Sequence, residues 1–113
     1  MNVSFNGFNE SVLTFKCPEE IEKLYPVKIS SAATVAKCIT NDAFTGFCLD
    51  SDKENATVQM SGYVKTTYSD TAPALGRTAL VADAAGGVKE NSAGVPCIVL
   101  SVDAADTTVE FLF

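Results

Sequence analysis

Apolar and polar residues alternate most cleanly between positions 57 and 68. Val58, Met60, Gly62, Val64, Thr66 and Tyr68 take one parity, and Thr57, Gln59, Ser61, Tyr63, Lys65 and Thr67 the other. A period of two sends successive side chains to opposite faces of an extended chain, so the segment is predicted to be a strand. It is longer than an ordinary strand. Gly62 lies near its middle on the inward parity, where a residue without Cβ lets a strand bend or bulge around a corner. One strand is therefore expected to serve two faces.

The same period recurs at the carboxyl end, with Ile98, Leu100 and Val102 on one parity, then Val109, Phe111 and Phe113 after the short Ala104-Ala105-Asp106 connection. This predicts a hairpin whose last strand is paired and packed, since a frayed end would expose two aromatic rings. Further strands are expected at 12–16, 27–30, 34–39, 43–49, 78–83 and 88–90, separated by small clusters of turn residues. Residues 18–25 read differently. Pro18 suits a first helical position, Glu19, Glu20 and Glu22 suit the positive end of a helix, and Ile21 and Leu24 share a face, which predicts one or two helical turns at most.

Eight or nine short strands without a long crossover helix predict one all-β domain over residues 1–113, a small antiparallel β-barrel or β-sandwich. Period two assigns its core to Val58, Met60, Val64, Leu80, Ile98, Leu100, Val102, Val109 and Phe111. At 113 residues such a chain buries enough surface to fold without a metal or disulfide scaffold.

Charge then narrows the function. Eight Lys and Arg stand against 14 Asp and Glu, a net charge of −6 that disfavours nucleic-acid phosphates and anionic lipid surfaces. There is no histidine, which excludes a Ser-His-Asp triad, the helical zinc site built on two histidines, and papain-like Cys-His chemistry. These exclusions predict a non-enzymatic protein without a cofactor. No Lys or Arg precedes Lys16, and the longest apolar runs are far short of a bilayer span, so neither a secretory leader nor a membrane segment is expected.

The remaining candidates for chemistry have plainer readings. Cys17, Cys38, Cys48 and Cys97 contain no C-x-x-C pair and read as small buried hydrophobes. A two-residue turn at Asn41-Asp42 would put Cys38 opposite Thr45 and Cys48 opposite Val35, keeping those thiols apart. The alternate acids of residues 50–54 suggest a calcium loop, but Asn55 and Ser61 stand where the glycine and the bidentate glutamate belong, which favours an exposed turn. Asp83-Ala84-Ala85-Gly86-Gly87-Val88 lacks phosphate-loop spacing and reads as a β-turn. Tyr63, Tyr68 and Phe47 could stack on a sugar or a base, although their strand positions favour packing.

Residues 1–9 read either as a further strand or as an extended arm whose Val3, Phe5 and Phe8 bury against a neighbouring subunit.

The order of short phrases along the chain carries a resemblance. Pro26-Val27-Lys28-Ile29-Ser30, Thr34-Val35-Ala36-Lys37 and Ala43-Phe44-Thr45-Gly46-Phe47 come first, followed by Val58-Gln59-Met60-Ser61-Gly62. Thr71-Ala72-Pro73-Ala74-Leu75-Gly76, Leu80-Val81-Ala82-Asp83 and Gly86-Gly87-Val88-Lys89 complete the series. Over roughly residues 10–113 this resembles the small capsid-decoration, or capsid-cement, proteins of tailed bacteriophages and prophages. The chain departs from the commoner pattern in its four cysteines and in residues 19–25, where a shorter glycine-containing turn is expected. The resemblance implies a virion structural protein, made in the bacterial cytoplasm and not secreted. Such a protein binds the outer capsid surface, reinforces contacts between major capsid protein subunits, and often forms a homo-oligomer, commonly a trimer. Under it, Val3, Phe5 and Phe8 of the arm are the first candidate contacts. The loop over residues 69–77 is the second, with Pro73, Leu75 and Arg77 as its contact residues. The alternative is a carbohydrate- or peptide-binding β module of a bacterial cell that uses Tyr63, Tyr68 or a sheet edge as its platform.

Overall fold

The computed structural model describes residues 11–83 and 85–113. Among them the chain forms ten strands and no helix. In order these are β1 (Ser11–Lys16), β2 (Pro26–Ser31), β3 (Thr34–Lys37), β4 (Gly46–Ser51), β5 (Asn55–Ser61), β6 (Tyr63–Thr67), β7 (Gly76–Ala82), β8 (Val88–Glu90), β9 (Val95–Asp103) and β10 (Thr108–Leu112). The expected choice between barrel and sandwich resolves into two sheets. The first five strands close a barrel in the order β1-β3-β2-β4-β5, and the last five form a sheet in the order β6-β10-β9-β7-β8. The described strands pair antiparallel except where β1 meets β3, a parallel contact at Lys16 and Thr34.

Gly62 is why the count is ten. The alternating run over 57–68 is broken there at φ 113°, a conformation that costs glycine little, and β5 stays in the barrel while β6 enters the second sheet. Buried Gln59 holds the corner. Its amide donates to the carbonyls of Ser61 at 3.2 Å and Tyr63 at 2.9 Å, on either side of the bend. Gly62 also exchanges both backbone hydrogen bonds with Phe113, so the chain end is pinned to the same corner.

Two cores follow. Val27, Val35, Cys48, Ala56 and Val58 fill the barrel, and Cys17 and Ile21 close one end of it. Val64, Leu80, Ala82, Val88, Cys97, Val99, Val109 and Phe111 line the inner face of the second sheet. That sheet is curled, because its two edge strands approach at a bridge between Tyr68 and Val88. Phe47 on β4 and Phe44 before it enter this second core from the barrel side. With Phe111 and Phe113 they form a cluster of four rings whose centroids all lie 4.8–6.4 Å apart, tilted or edge to face.

Three sequence expectations are corrected. Residues 18–25 form no helical turn. One or two turns cannot offset the cost of nucleating a helix, and the segment instead crosses the barrel end. There the Ile21 N–H donates to Ser51 Oγ at 2.7 Å, and the Leu24 N–H to the Cys48 carbonyl at 2.6 Å. The Asn41-Asp42 hairpin is absent, because β3 and β4 both pair with β2. The loop between them bonds to β7, with Asn41 N–H donating to the Ala82 carbonyl and Ala82 N–H to the Asp42 carbonyl, each at 2.9 Å. Ile98 and Leu100 do not share the core with Val102. On β9 the pairs Val102↔Val109 and Val99↔Phe111 leave Leu100 as one extra residue, a β-bulge that reverses parity. Cys97 and Val99 therefore point inward, Leu100 is half-buried and Ile98 is 40% exposed. The other expected core residues are buried or pack against the two cores.

Phe47 is fully buried and Leu100 is half-buried. Phe47→Ala should therefore cost about 3–5 kcal/mol in chemical denaturation, against about 1 kcal/mol for Leu100→Ala. Equal losses at the two positions would contradict the inverted parity of β9.

Candidate docking surface

The bulge that turns Ile98 outward also builds a surface. Direct register pairs Arg77 with Ile98, Ile98 with Leu112, and Leu112 with Tyr63, so these four side chains form one row on the outer face of β7, β9, β10 and β6. Arg77 at one end of the row is exposed and, among the described residues, joins no ion pair. Ile98 and Leu112 make the middle apolar. At the other end the Tyr63 hydroxyl donates to the Glu110 carboxylate at 2.7 Å. Burial first, and that carboxylate second, push the Tyr63 phenol up to about 12. β10 ends while β9 continues, which leaves a cavity of about 200 Å³ between Arg77, Pro96, Cys97, Ile98, Leu112 and Phe113.

The loop ahead of β7 adjoins this row and is held from within. The Ser69 N–H donates to the Val88 carbonyl at 3.0 Å and its hydroxyl to Asp83 at 2.6 Å. Thr78 Oγ1 donates to the Ala74 carbonyl at 2.9 Å, and Gly76 takes φ 87° where β7 begins. Pro73 is buried, so it braces the loop and presents no contact itself. Leu75 is 69% exposed. Of the residues expected to meet a partner, Leu75 and Arg77 thus come together at the surface, whereas Val3, Phe5 and Phe8 lie outside the described residues. Ile98 was assigned to the core because period two cannot reveal a bulge, whereas Leu112 falls on the outward parity of its strand, opposite to Phe111 and Phe113.

The other candidates have internal roles. Asp52 accepts the N–H groups of Glu54 and Asn55, which hold its carboxyl below the usual range in an exposed turn. Buried Asp83 accepts from the Ala85 and Gly87 N–H groups and from Ser69, anchoring a turn. Among the described residues no group of three or more Asp, Glu or Cys side chains is placed to hold a metal ion. Tyr68 packs against the second core and Phe47 lies within it. A larger depression of about 530 Å³ opens at the barrel end beside Lys16, Pro18, Thr34 and Lys53. No buried side-chain polar atom among the described residues lacks a hydrogen-bond partner, so no orphaned group points into either space. All four cysteines are free and buried. Burial pushes the Cys97 thiol up to about 12, and burial followed by the Asp42 carboxylate does the same for Cys38.

Compared with known families and characterised proteins, the chain matches no family model and no curated protein.

Two measurements check this electrostatic picture. In ultraviolet titration the Tyr63 phenol should ionise near about 12, and Glu110→Gln should bring its midpoint down. A folded value above the ordinary phenol value of about 10 means that the contribution of Tyr63 is complete below pH 10 or so and is lost as pH rises toward its folded value. An unchanged midpoint in Glu110→Gln would contradict the contact. Maleimide should leave Cys38 and Cys97 unmodified in the native protein at neutral pH and label them on unfolding, because the thiolate is the reactive form.

Proposed function

We propose that the protein is a non-enzymatic structural subunit that binds the outer surface of a tailed-phage head and reinforces contacts between major capsid protein subunits. The observation that carries this reading is Leu75, a large apolar side chain 69% exposed on a loop braced by buried Pro73 and the Thr78–Ala74 hydrogen bond. A braced loop loses little conformational entropy when it docks, and an exposed leucine supplies the apolar anchor. The order of phrases described above supports a capsid as the surface to which it docks. The alternative, a carbohydrate- or peptide-binding module, draws less support. The Tyr63 hydroxyl is engaged by Glu110 and Tyr68 packs against the second core, so neither ring offers an open stacking platform.

The test is sedimentation with expanded phage heads that lack decoration. The wild-type protein should co-sediment and delay thermal disruption of the heads. Leu75→Asp should reduce retention at least about tenfold, the scale of one lost apolar anchor, with an unchanged unfolding midpoint. A variant lacking residues 1–9 tests the arm, and folded protein with lost retention would assign docking to the arm. Full retention by Leu75→Asp would remove the loop from the contact, and no retention of the wild type would overturn the proposal.

A further inference from the structure

The cavity beyond the end of β10 has room for one side chain, and the only arginine of the chain, Arg77, stands at its rim. We infer that it is a socket for a segment of a partner protein in which a large apolar residue and an Asp or Glu stand two positions apart. The apolar side chain enters the cavity and the carboxylate meets Arg77.

The path of β10 creates the space. It pairs with β9 as far as Leu112 and Ile98, and Phe113 then exchanges backbone hydrogen bonds with Gly62, so no described strand continues the pairing of β9 beyond Ile98 on that side. Pro96 lies in the uncovered stretch and has no N–H, which disfavours the addition of a further strand. What remains is about 200 Å³ lined, besides Arg77, by Pro96, Cys97, Ile98, Leu112 and Phe113. These walls are apolar but for one thiol, and among the described residues no buried side-chain polar atom lacks a partner, so the cavity selects an apolar group. Small-molecule ligands occupy pockets of about 300–1,000 Å³. This smaller and open space fits a single leucine- or phenylalanine-sized anchor carried by a larger partner.

Charge supplies the second contact. Lys28, Lys37 and Lys89 are paired with acids, whereas Arg77 is exposed, joins no ion pair among the described residues, and has Ile98 as its register neighbour on β9. A guanidinium is a planar fork of donors that holds a carboxylate by two bonds, which an ammonium does not do. The net charge of −6 repels a partner that is acidic throughout, so the matching acid is a local one beside an apolar residue. Strand geometry sets their spacing. The cavity and β7 lie about two strand spacings, or roughly 9–10 Å, apart, and the length of the arginine side chain shortens that gap toward the ~6–7 Å between residues i and i+2 on one face of an extended segment. The socket adjoins Leu75 but does not rest on the capsid reading, since a peptide in solution reports on it.

The test is a chemical-shift titration of the isotope-labelled full chain with acetyl-Ser-Leu-Ser-Glu-Ser-amide and acetyl-Ser-Glu-Ser-Leu-Ser-amide, one for each chain direction, up to about 10 mM, where a millimolar complex is populated. At least one peptide should bind saturably and shift the signals of Arg77, Ile98 and Leu112. In that peptide, Leu replaced by Ala should weaken binding about tenfold and Glu replaced by Gln about threefold, the scales of one apolar anchor and one exposed ion pair. With Arg77→Gln the Glu and Gln peptides should bind alike while the unfolding midpoint stays unchanged, which isolates the charge pairing from any loss of structure. No saturable shift with either peptide, shifts that map to other residues, or a Gln peptide that binds the wild type as well as the Glu peptide would overturn the inference. Binding of 4-methylpentanoate as tight as that of the peptide would overturn the assignment to a protein segment. Leu75→Asp should bind the peptides as the wild type does, so this inference and the capsid reading fail in different experiments.

Discussion

The four-ring cluster of Phe44, Phe47, Phe111 and Phe113 is the contact on which the rest of the molecule depends. Two of its rings come from the barrel side and two from the last strand and chain end, and every pair lies within 6.4 Å. The second sheet does not close its core alone. The barrel directs Val58 and Cys48 inward but Phe47 outward, and the second sheet leaves one side open to receive it. Tilted and edge-to-face rings contribute about 0.5–1.5 kcal/mol per pair beyond their burial, so a closed group of four is a strong joint for a small domain. The backbone crosses at Gly62, beside this joint, and Phe113 exchanges both hydrogen bonds with that glycine.

That joint also determines what the surface can offer. Because β10 must reach Phe113, its neighbour Leu112 is carried to the outer face in register with Ile98, and the bulge at Leu100 accommodates both demands. Val99 stays inside against Phe111 while Ile98 emerges beside Arg77. The apolar row is therefore a by-product of packing the aromatic cluster from a nine-residue strand, and the same geometry places a cation at one end and a Tyr63–Glu110 pair at the other. Several of the less exposed polar groups have internal roles. Asp83, Gln59 and Ser51 each satisfy backbone groups, at a turn, a corner and a strap respectively.

What was legible in the chain was its local grammar. Residues 57–68 announced a strand bent at Gly62 and serving two faces, the terminal hairpin was evident from its alternation, and the cysteines read correctly as core. Long-range choices were not legible. Nothing near Asn41 and Asp42 signals that their backbone groups pair with Ala82, about forty residues on, so a local hairpin was expected in place of two strands that share β2. Helix-start signals around Pro18 and Glu19 were genuine but weak, and the barrel supplied better acceptors at Ser51 and Cys48. A bulge adds one residue without altering composition, which is why Leu100 reversed the faces of Ile98 and Val99 unseen. The outward turn of Ile98 lay behind that one residue, so Leu75 and Arg77 could be nominated from the sequence while Ile98 could not.

A double-mutant cycle between Phe47 and Phe113, whose rings meet edge to face at 5.4 Å across the two sheets, tests the joint most directly. With each replaced by leucine singly and together, and stability measured by chemical denaturation, the account predicts a coupling of about 0.5–1.5 kcal/mol and one cooperative transition reported alike by probes in both sheets. Strictly additive losses, or a barrel that unfolds separately from the second sheet in the wild-type protein, would contradict it.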